Sequence, residues 1–288
     1  MKLALLQRAA PLLGLVAAAC SPLSAFNSVM PKDAGGKLTA AGLAYGEGPR
    51  RRLDVYVPRK IGDSPHFLRP VIVFFYGGSW NSGDRRGYSF VGRALAARGF
   101  VTVIPDYRLV PEVTYPGFVE DGAAAVRWVR AHAKDYGGDG ERIVLAGHSA
   151  GAYIAAMLAV DTRWLGADRK AVRGLAGLAG PYDFVPFTVG ASQAAFGRWP
   201  DAAETQPVTH ADATAPPALL LTGAGDTTVK PRNSEALAAK LRAAGVSAEV
   251  KRYPDVAHIG ILTAIAKPFR GKAPVVADVA TFAERVTQ

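Results

Sequence analysis

The stretch Gly147-His148-Ser149-Ala150-Gly151 has the residue types of a reactive turn. It follows the apolar run 143–146 and precedes 152–160, which is rich in helix formers. A G-x-S-x-G between strand and helix is a nucleophile elbow: a side chain at either glycine would clash, and Ser149 is held strained with its hydroxyl exposed. The helix N-terminus behind it favours developing negative charge. A serine hydroxyl is a poor nucleophile at neutral pH. The pattern therefore also demands a base, an acid to orient that base, and donors for an oxyanion.

Five histidines could supply the base. His66 precedes the first central strand, away from the carboxyl ends where open α/β sheets bind ligands. His132 falls on an outer helix, and His148 lies beside the nucleophile rather than facing it. His258, in Tyr253-Pro254-Asp255-Val256-Ala257-His258, follows the last strand and is the expected base, with His210 in reserve. The expected acid is Asp226, which ends Gly223-Ala224-Gly225-Asp226 after the apolar run 219–222. Asp183 is the runner-up, and Asp255 would need its loop to fold back on itself. Tyr76-Gly77-Gly78-Ser79-Trp80 follows the run 71–75, and glycines there let backbone N–H groups approach a developing charge. Donors drawn from Gly77, Gly78 and Ser79, paired with the N–H of Ala150, form the expected oxyanion hole.

These residues can meet only if one sheet carries them to a common edge. Apolar or β-branched runs at 71–75, 101–104, 143–146, 172–179, 218–221 and 248–251 fit strands covered on both faces. Helical spacing at 88–98, 118–134, 234–244 and 275–286 alternates with them, and Gly99 and Gly245 supply two of the stops. The alternation predicts a doubly wound, mostly parallel α/β sheet with helices on both faces. Residues 52–57 alternate in polarity and are expected to form an edge strand. Residues 184–215 interrupt the pattern and read as a short insertion over the site. There Phe184, Phe187, Phe196 and Trp199 either line an apolar pocket or pack the insertion onto the sheet.

Taken in order, Y-G-G-S-W, Asp106-Tyr107-Arg108-Leu109, G-H-S-A-G and Asp226…His258 resemble the α/β-hydrolases of the carboxylesterase and hormone-sensitive-lipase-like groups, over roughly 52–286. Relatives with an H-G-G-x-W-type loop include kynurenine formamidases, feruloyl and acetyl-xylan esterases, and prenylcysteine methylesterases. The resemblance implies an α/β-hydrolase fold and matches Ser149, Asp226, His258, Gly77, Gly78 and Ala150 to the family's functional positions. Tyr76 stands where the family has the histidine that organises the oxyanion loop. This departure weakens the tie to the formamidases and gives the Tyr76 hydroxyl that organising task, or gives Tyr76 a place in the substrate pocket. Trp80 matches a tryptophan near the family's pocket and equally suits a buried packing role. Asp106 and Arg108 are implied to serve as structural ion-pair residues below the site.

The implied activity is hydrolysis of carboxylic esters, free or polymer-attached, through an acyl-enzyme, with no metal and no organic cofactor. An amidase or formamidase would use the same residues. A non-catalytic binding protein on this fold would be expected to lack one of the three.

Composition limits the alternatives. The chain has 288 residues, 49% hydrophobic and 20% charged, with a net charge of +10 and one cysteine. That is too apolar for a disordered chain, and one cysteine permits neither an internal disulfide nor a four-cysteine zinc site. The basic residues are scattered apart from Arg50-Arg51-Arg52 and Arg85-Arg86, which is not the stripe of a nucleic-acid binder. At the N-terminus, Lys2 and Arg8 precede an uncharged apolar stretch at 9–19, the layout of a secretory signal over 1–19. Val16-Ala17-Ala18-Ala19-Cys20 resembles a bacterial lipoprotein cleavage box, with Cys20 as the lipid-bearing first residue. The expectation is an exported chain, periplasmic or lipid-anchored, with a tether at 20–48 and the catalytic domain at 49–288.

Overall fold

The β-branched and aromatic runs become the inner strands of a single sheet. The computed structural model describes residues 22–59 and 68–288; the leader, Cys20 and His66 lie outside the described residues. Among the described residues eight strands, β1 (Gly36–Ala44), β2 (Arg52–Pro58), β3 (Arg69–Phe75), β4 (Val101–Pro105), β5 (Gly138–His148), β6 (Val172–Leu178), β7 (Ala218–Gly223) and β8 (Ala248–Tyr253), stand in the order β1-β2-β4-β3-β5-β6-β7-β8. From β4 to β8 all neighbours are parallel, and β2 runs antiparallel to both β1 and β4. The carboxyl ends of β3, β5, β7 and β8 therefore open on one edge, where the loops carrying the predicted residues begin. This is the α/β-hydrolase fold.

Helices α1 (Pro22–Val29), α2 (Ser89–Ala96), α3 (Gly117–His132), α4 (Ala150–Val160) and α5 (Thr162–Leu165) precede β6 in the chain. Helices α6 (Gly190–Phe196), α7 (Pro207–His210), α8 (Arg232–Ala243), α9 (His258–Thr263) and α10 (Val275–Val286) follow it. α2 and α10 pack on the sheet and on each other, as do α3 and α4, so the sheet is covered on both faces. Burial of Ile72, Val73, Ile143, Val144 and Leu145 from both sides explains their continuous apolar runs. Every residue of α4 is buried, so its sequence carries no polar stripe.

Two expectations need correction. Residues 22–48 are not a free tether: α1 packs against the Arg85–Tyr88 turn, and β1 hydrogen-bonds to β2. β2 is consequently not an edge strand; Leu53, Val55, Tyr56 and Val57 are all buried, and β1 takes the edge. The insertion holds α6 and α7, is bonded down by Tyr153 Oη to the Thr205 carbonyl (2.7 Å), and is closed on itself by the Phe184 N–H to Gln206 Oε1 (2.8 Å).

Candidate active site

The chain passes from β5 into α4 within a single residue, Ser149, at φ 54° and ψ −124°. Only small neighbours permit this. A Cβ on Gly151 would sit 2.1 Å from the Phe75 carbonyl oxygen, and one on Gly147 would sit 2.5 Å from the Gly151 carbonyl. Holding a serine in so sparsely populated a conformation costs of order 1–3 kcal/mol, which the surrounding buried core must offset. The turn leaves the Ser149 hydroxyl partly exposed and 2.8 Å from His258 Nε2. His258 Nδ1 lies 2.8 Å from Asp226 Oδ2. The other carboxylate oxygen, Oδ1, accepts the N–H groups of Thr228 (2.9 Å) and Val229 (2.8 Å). Since a carboxylate only accepts, the His258 proton sits on Nδ1 and leaves Nε2 free to take one from Ser149. Asp226 is 3% and His258 9% exposed, so this series of bonds is largely removed from water.

The alternatives fall elsewhere. His210 Nε2 contacts the Glu204 carbonyl in the insertion, and His132 stacks on Trp128 at the surface. The Asp183 N–H bonds Asn233 Oδ1, and Asp255 occupies a left-handed turn at φ 54°. His148 does more than its position in the sequence suggests. Its ring lies 4.9 Å from that of His258, and its Nε2–H donates to the His258 carbonyl at 3.0 Å. Burial, then the neighbouring His258, pushes the His148 pKa down to about 3, so this ring is neutral and fixed as the Nε2–H tautomer. Nothing in the sequence says which way that ring points.

The loop after β3 reaches over Ser149. A Cβ on Gly77 would lie 3.0 Å from Ser149 Cβ, and Gly78 adopts φ 133°, where its carbonyl accepts the N–H groups of Asn81 and Ser82. Ser79 and Trp80 also take positive φ, 51° and 59°. Ala150 opens α4, so its N–H is one of those a helix leaves without an i−4 partner. Gly77, Gly78 and Ser79 thus line one cleft with Ser149, and Ala150 lines a second with Ser79 and Ser149.

Tyr76 does not line a pocket: it is wholly buried beneath this loop. Its hydroxyl donates to Asp106 Oδ1 (2.9 Å) and accepts from Arg50 Nη2 (2.9 Å), and its ring stacks between Tyr107 and Tyr88. Arg50 also donates to the Gly83 carbonyl, and the Tyr107 hydroxyl donates to the Tyr76 carbonyl (2.8 Å). Asp106 pairs with Arg85, which also binds Asp54 at 2.8 Å, while Arg108 pairs with the fully buried Asp121. Burial holds the Asp106 carboxyl above its ordinary range against the pull of Arg85.

Two clefts meet at Ser149. One, of about 400 Å³, is walled by Trp80, Phe184, Val185 and Pro186, with Lys230 and Arg232 also lining it. Phe187 is not in this wall; it packs behind, against Phe184 and Phe196. The other, of about 490 Å³, runs past His258 between α1 and α9, and includes Leu23, Phe26, Ile259 and Leu262. Among the described residues no group of three His, Cys, Asp or Glu side chains is placed to hold a metal ion.

The BD-FAE family model matches residues 53–241. The chain is 29% identical over 253 residues to an isoprenylcysteine alpha-carbonyl methylesterase of Arabidopsis thaliana, covering 80% of this chain and 58% of that one. It is 32% identical over 222 residues to the esterase LipC of Mycobacterium tuberculosis, covering 69% and 54%. The chain thus spans little more than half the length of these curated relatives. Among solved structures, a truncated carbohydrate esterase from gut microbiota superposes with a TM-score of 0.75 at 19% identity, covering 90% of this chain and 99% of that one, a likeness of fold.

Proposed function

Because the chain belongs to the BD-FAE family of α/β-hydrolases, we propose that it hydrolyses carboxylic esters through an acyl-enzyme on Ser149. The observation that carries this reading is the Ser149–His258–Asp226 series, with both bonds at 2.8 Å, opening on two clefts. Ser149 Oγ attacks the ester carbonyl as its proton passes to His258 Nε2. The carbonyl oxygen becomes an oxyanion held by N–H groups of Ala150 and the 77–79 loop, a single such donor being worth about 10²–10³ in rate. Asp226 keeps the imidazole tautomer and stabilises the imidazolium without taking its proton. Collapse breaks the bond to the alcohol, which leaves with the His258 proton. Water then attacks the acyl-enzyme, His258 takes its proton, and the acid departs as Ser149 regains its hydrogen. The test is reaction with a fluorophosphonate and turnover of a short p-nitrophenyl ester. Ser149→Ala should abolish both; undiminished turnover would sink the mechanism.

Export is part of the same reading. The basic-then-apolar leader supports secretion, and the box ending in Cys20 supports a lipid anchor two residues ahead of α1. Mass spectrometry of the mature N-terminus should find a diacylated Cys20; an unmodified chain starting elsewhere ends the anchor.

A further inference from the structure

We infer that helix α1 builds the wall against which the alcohol portion of the ester binds, so that Leu23 and Phe26 select esters of bulky apolar alcohols. This deepens the esterase reading and rests on it. The assignment of sides comes from the path of the proton. When the tetrahedral intermediate collapses, the bond between the acyl carbon and the alcohol oxygen breaks, and that oxygen takes the proton held on His258 Nε2. The alcohol must therefore lie on the His258 side of Ser149. Of the two clefts that meet there, the one between α1 and α9 is lined by His258, and the one walled by Trp80 and Phe184 is not. The acyl chain is left with the latter.

The alcohol cleft is apolar on both sides. Leu23 and Phe26 face Ile259 and Leu262 across it, and Tyr88 also lines it. Ile259, directly after the base, is 58% exposed. Leaving so large an apolar side chain in water, opposite two half-buried ones, provides contact area for a ligand group to cover. α1 is seated firmly enough to serve as a wall. Asn27 Nδ2 donates to the Arg86 carbonyl (2.9 Å), and its Oδ1 accepts from Ser89 Oγ (2.9 Å) and the Phe90 N–H (3.2 Å). The Phe26 ring meets Phe90 edge-on at 5.5 Å and stacks on Phe269 at 5.9 Å. Both α1 and α9 lie outside the stretch that the family model matches.

The test compares two ester series on the full chain: methyl, n-hexyl and cyclohexylmethyl butyrate, then methyl butyrate, hexanoate and octanoate. The parent should favour the larger alcohols. Phe26→Ala should lower the kcat/KM ratio of hexyl over methyl butyrate about tenfold, the scale of selectivity that lost apolar contacts carry. The acyl series should keep its order. Phe26 also contacts Phe90 and Phe269, so Ile259→Ser, which alters the opposite and more exposed side, guards against a merely loosened helix and should lower the same ratio. Equal losses on methyl and hexyl butyrate in both variants, or a change that follows acyl length instead, would overturn the proposal. A parent that labels with a fluorophosphonate at Ser149 but shows no alcohol preference refutes the wall alone. A parent that neither labels nor hydrolyses any ester refutes the reading beneath it as well.

Discussion

Under the 77–79 loop, Tyr76, Asp106, Arg85 and Arg50 are joined by hydrogen bonds and ion pairs in a buried layer. Beside it, packed against the Arg85–Tyr88 turn, the α1 wall is held by the rings of Phe26, Phe90 and Phe269 and by one asparagine. The difference is in what each can tolerate. Buried polar groups must keep their partners at fixed geometry, because leaving one unpaired costs about 1–3 kcal/mol. Such a floor fixes the position of the loop and thus the rate with every ester. Apolar contacts are non-directional and tolerate exchange among side chains of similar size. A wall of that kind decides which ester is favoured and leaves the chemistry alone.

Substitutions can break this contrast at several strengths. Asp226→Asn should have the largest effect, a fall in kcat of about 10⁴, because an amide that donates to His258 selects the wrong tautomer. The loss should be the same for methyl and hexyl esters. Tyr76→Phe comes next, removing the donor to Asp106 and the acceptor for Arg50. A kcat about tenfold lower, equal across both ester series, is expected. A loss confined to one alcohol or one acyl length would put Tyr76 on the side of the wall. Asp106→Asn should show its effect in thermal or urea unfolding, since Arg85 would keep Asp54 alone. Breaking a buried pair in this way costs about 3 kcal/mol.

His148 gives the most specific effect. Burial keeps it neutral in the folded chain down to about pH 3, whereas the unfolded chain protonates it below its ordinary 6.5. The unfolded state therefore binds the extra proton. The stability present above pH 6.5 is lost progressively as pH falls towards 3. His148→Gln retains a donor for the His258 carbonyl without titrating, so its urea midpoint should fall less than the parent's between pH 7.5 and pH 5. Parallel falls would mean that His148 is not the group titrating.

Much of this arrangement was legible in the sequence, for identifiable reasons. Strands buried on both faces must be continuously apolar, so β3, β5 and β7 stood out. The elbow needs glycines where a Cβ would touch backbone, so Ser149 stood out as well. Asp226 and His258 followed from which strand ends they terminate. β1 was missed because Gly36–Ala44 is half-exposed or exposed at every position but Gly36 and its register with β2 shifts twice, so it shows neither alternation nor an apolar run. With β1 unseen, β2 read as an edge and α1 as part of a tether. Phe187 and the pocket reading of Tyr76 were placed correctly along the chain but not in space, and the direction of the His148 ring was not read at all. Which way a ring points at the end of a strand depends on neighbours such as Asp106, Phe196 and His258, which come from distant parts of the sequence.

The central claim is that the ester's acyl group passes through Ser149, and rapid quenching tests it most directly. The enzyme mixed with excess p-nitrophenyl butyrate and stopped in acid should carry one butyryl group, on the peptide that contains Ser149. Full turnover with an unmodified Ser149, or with the acyl group on another residue, would contradict the account.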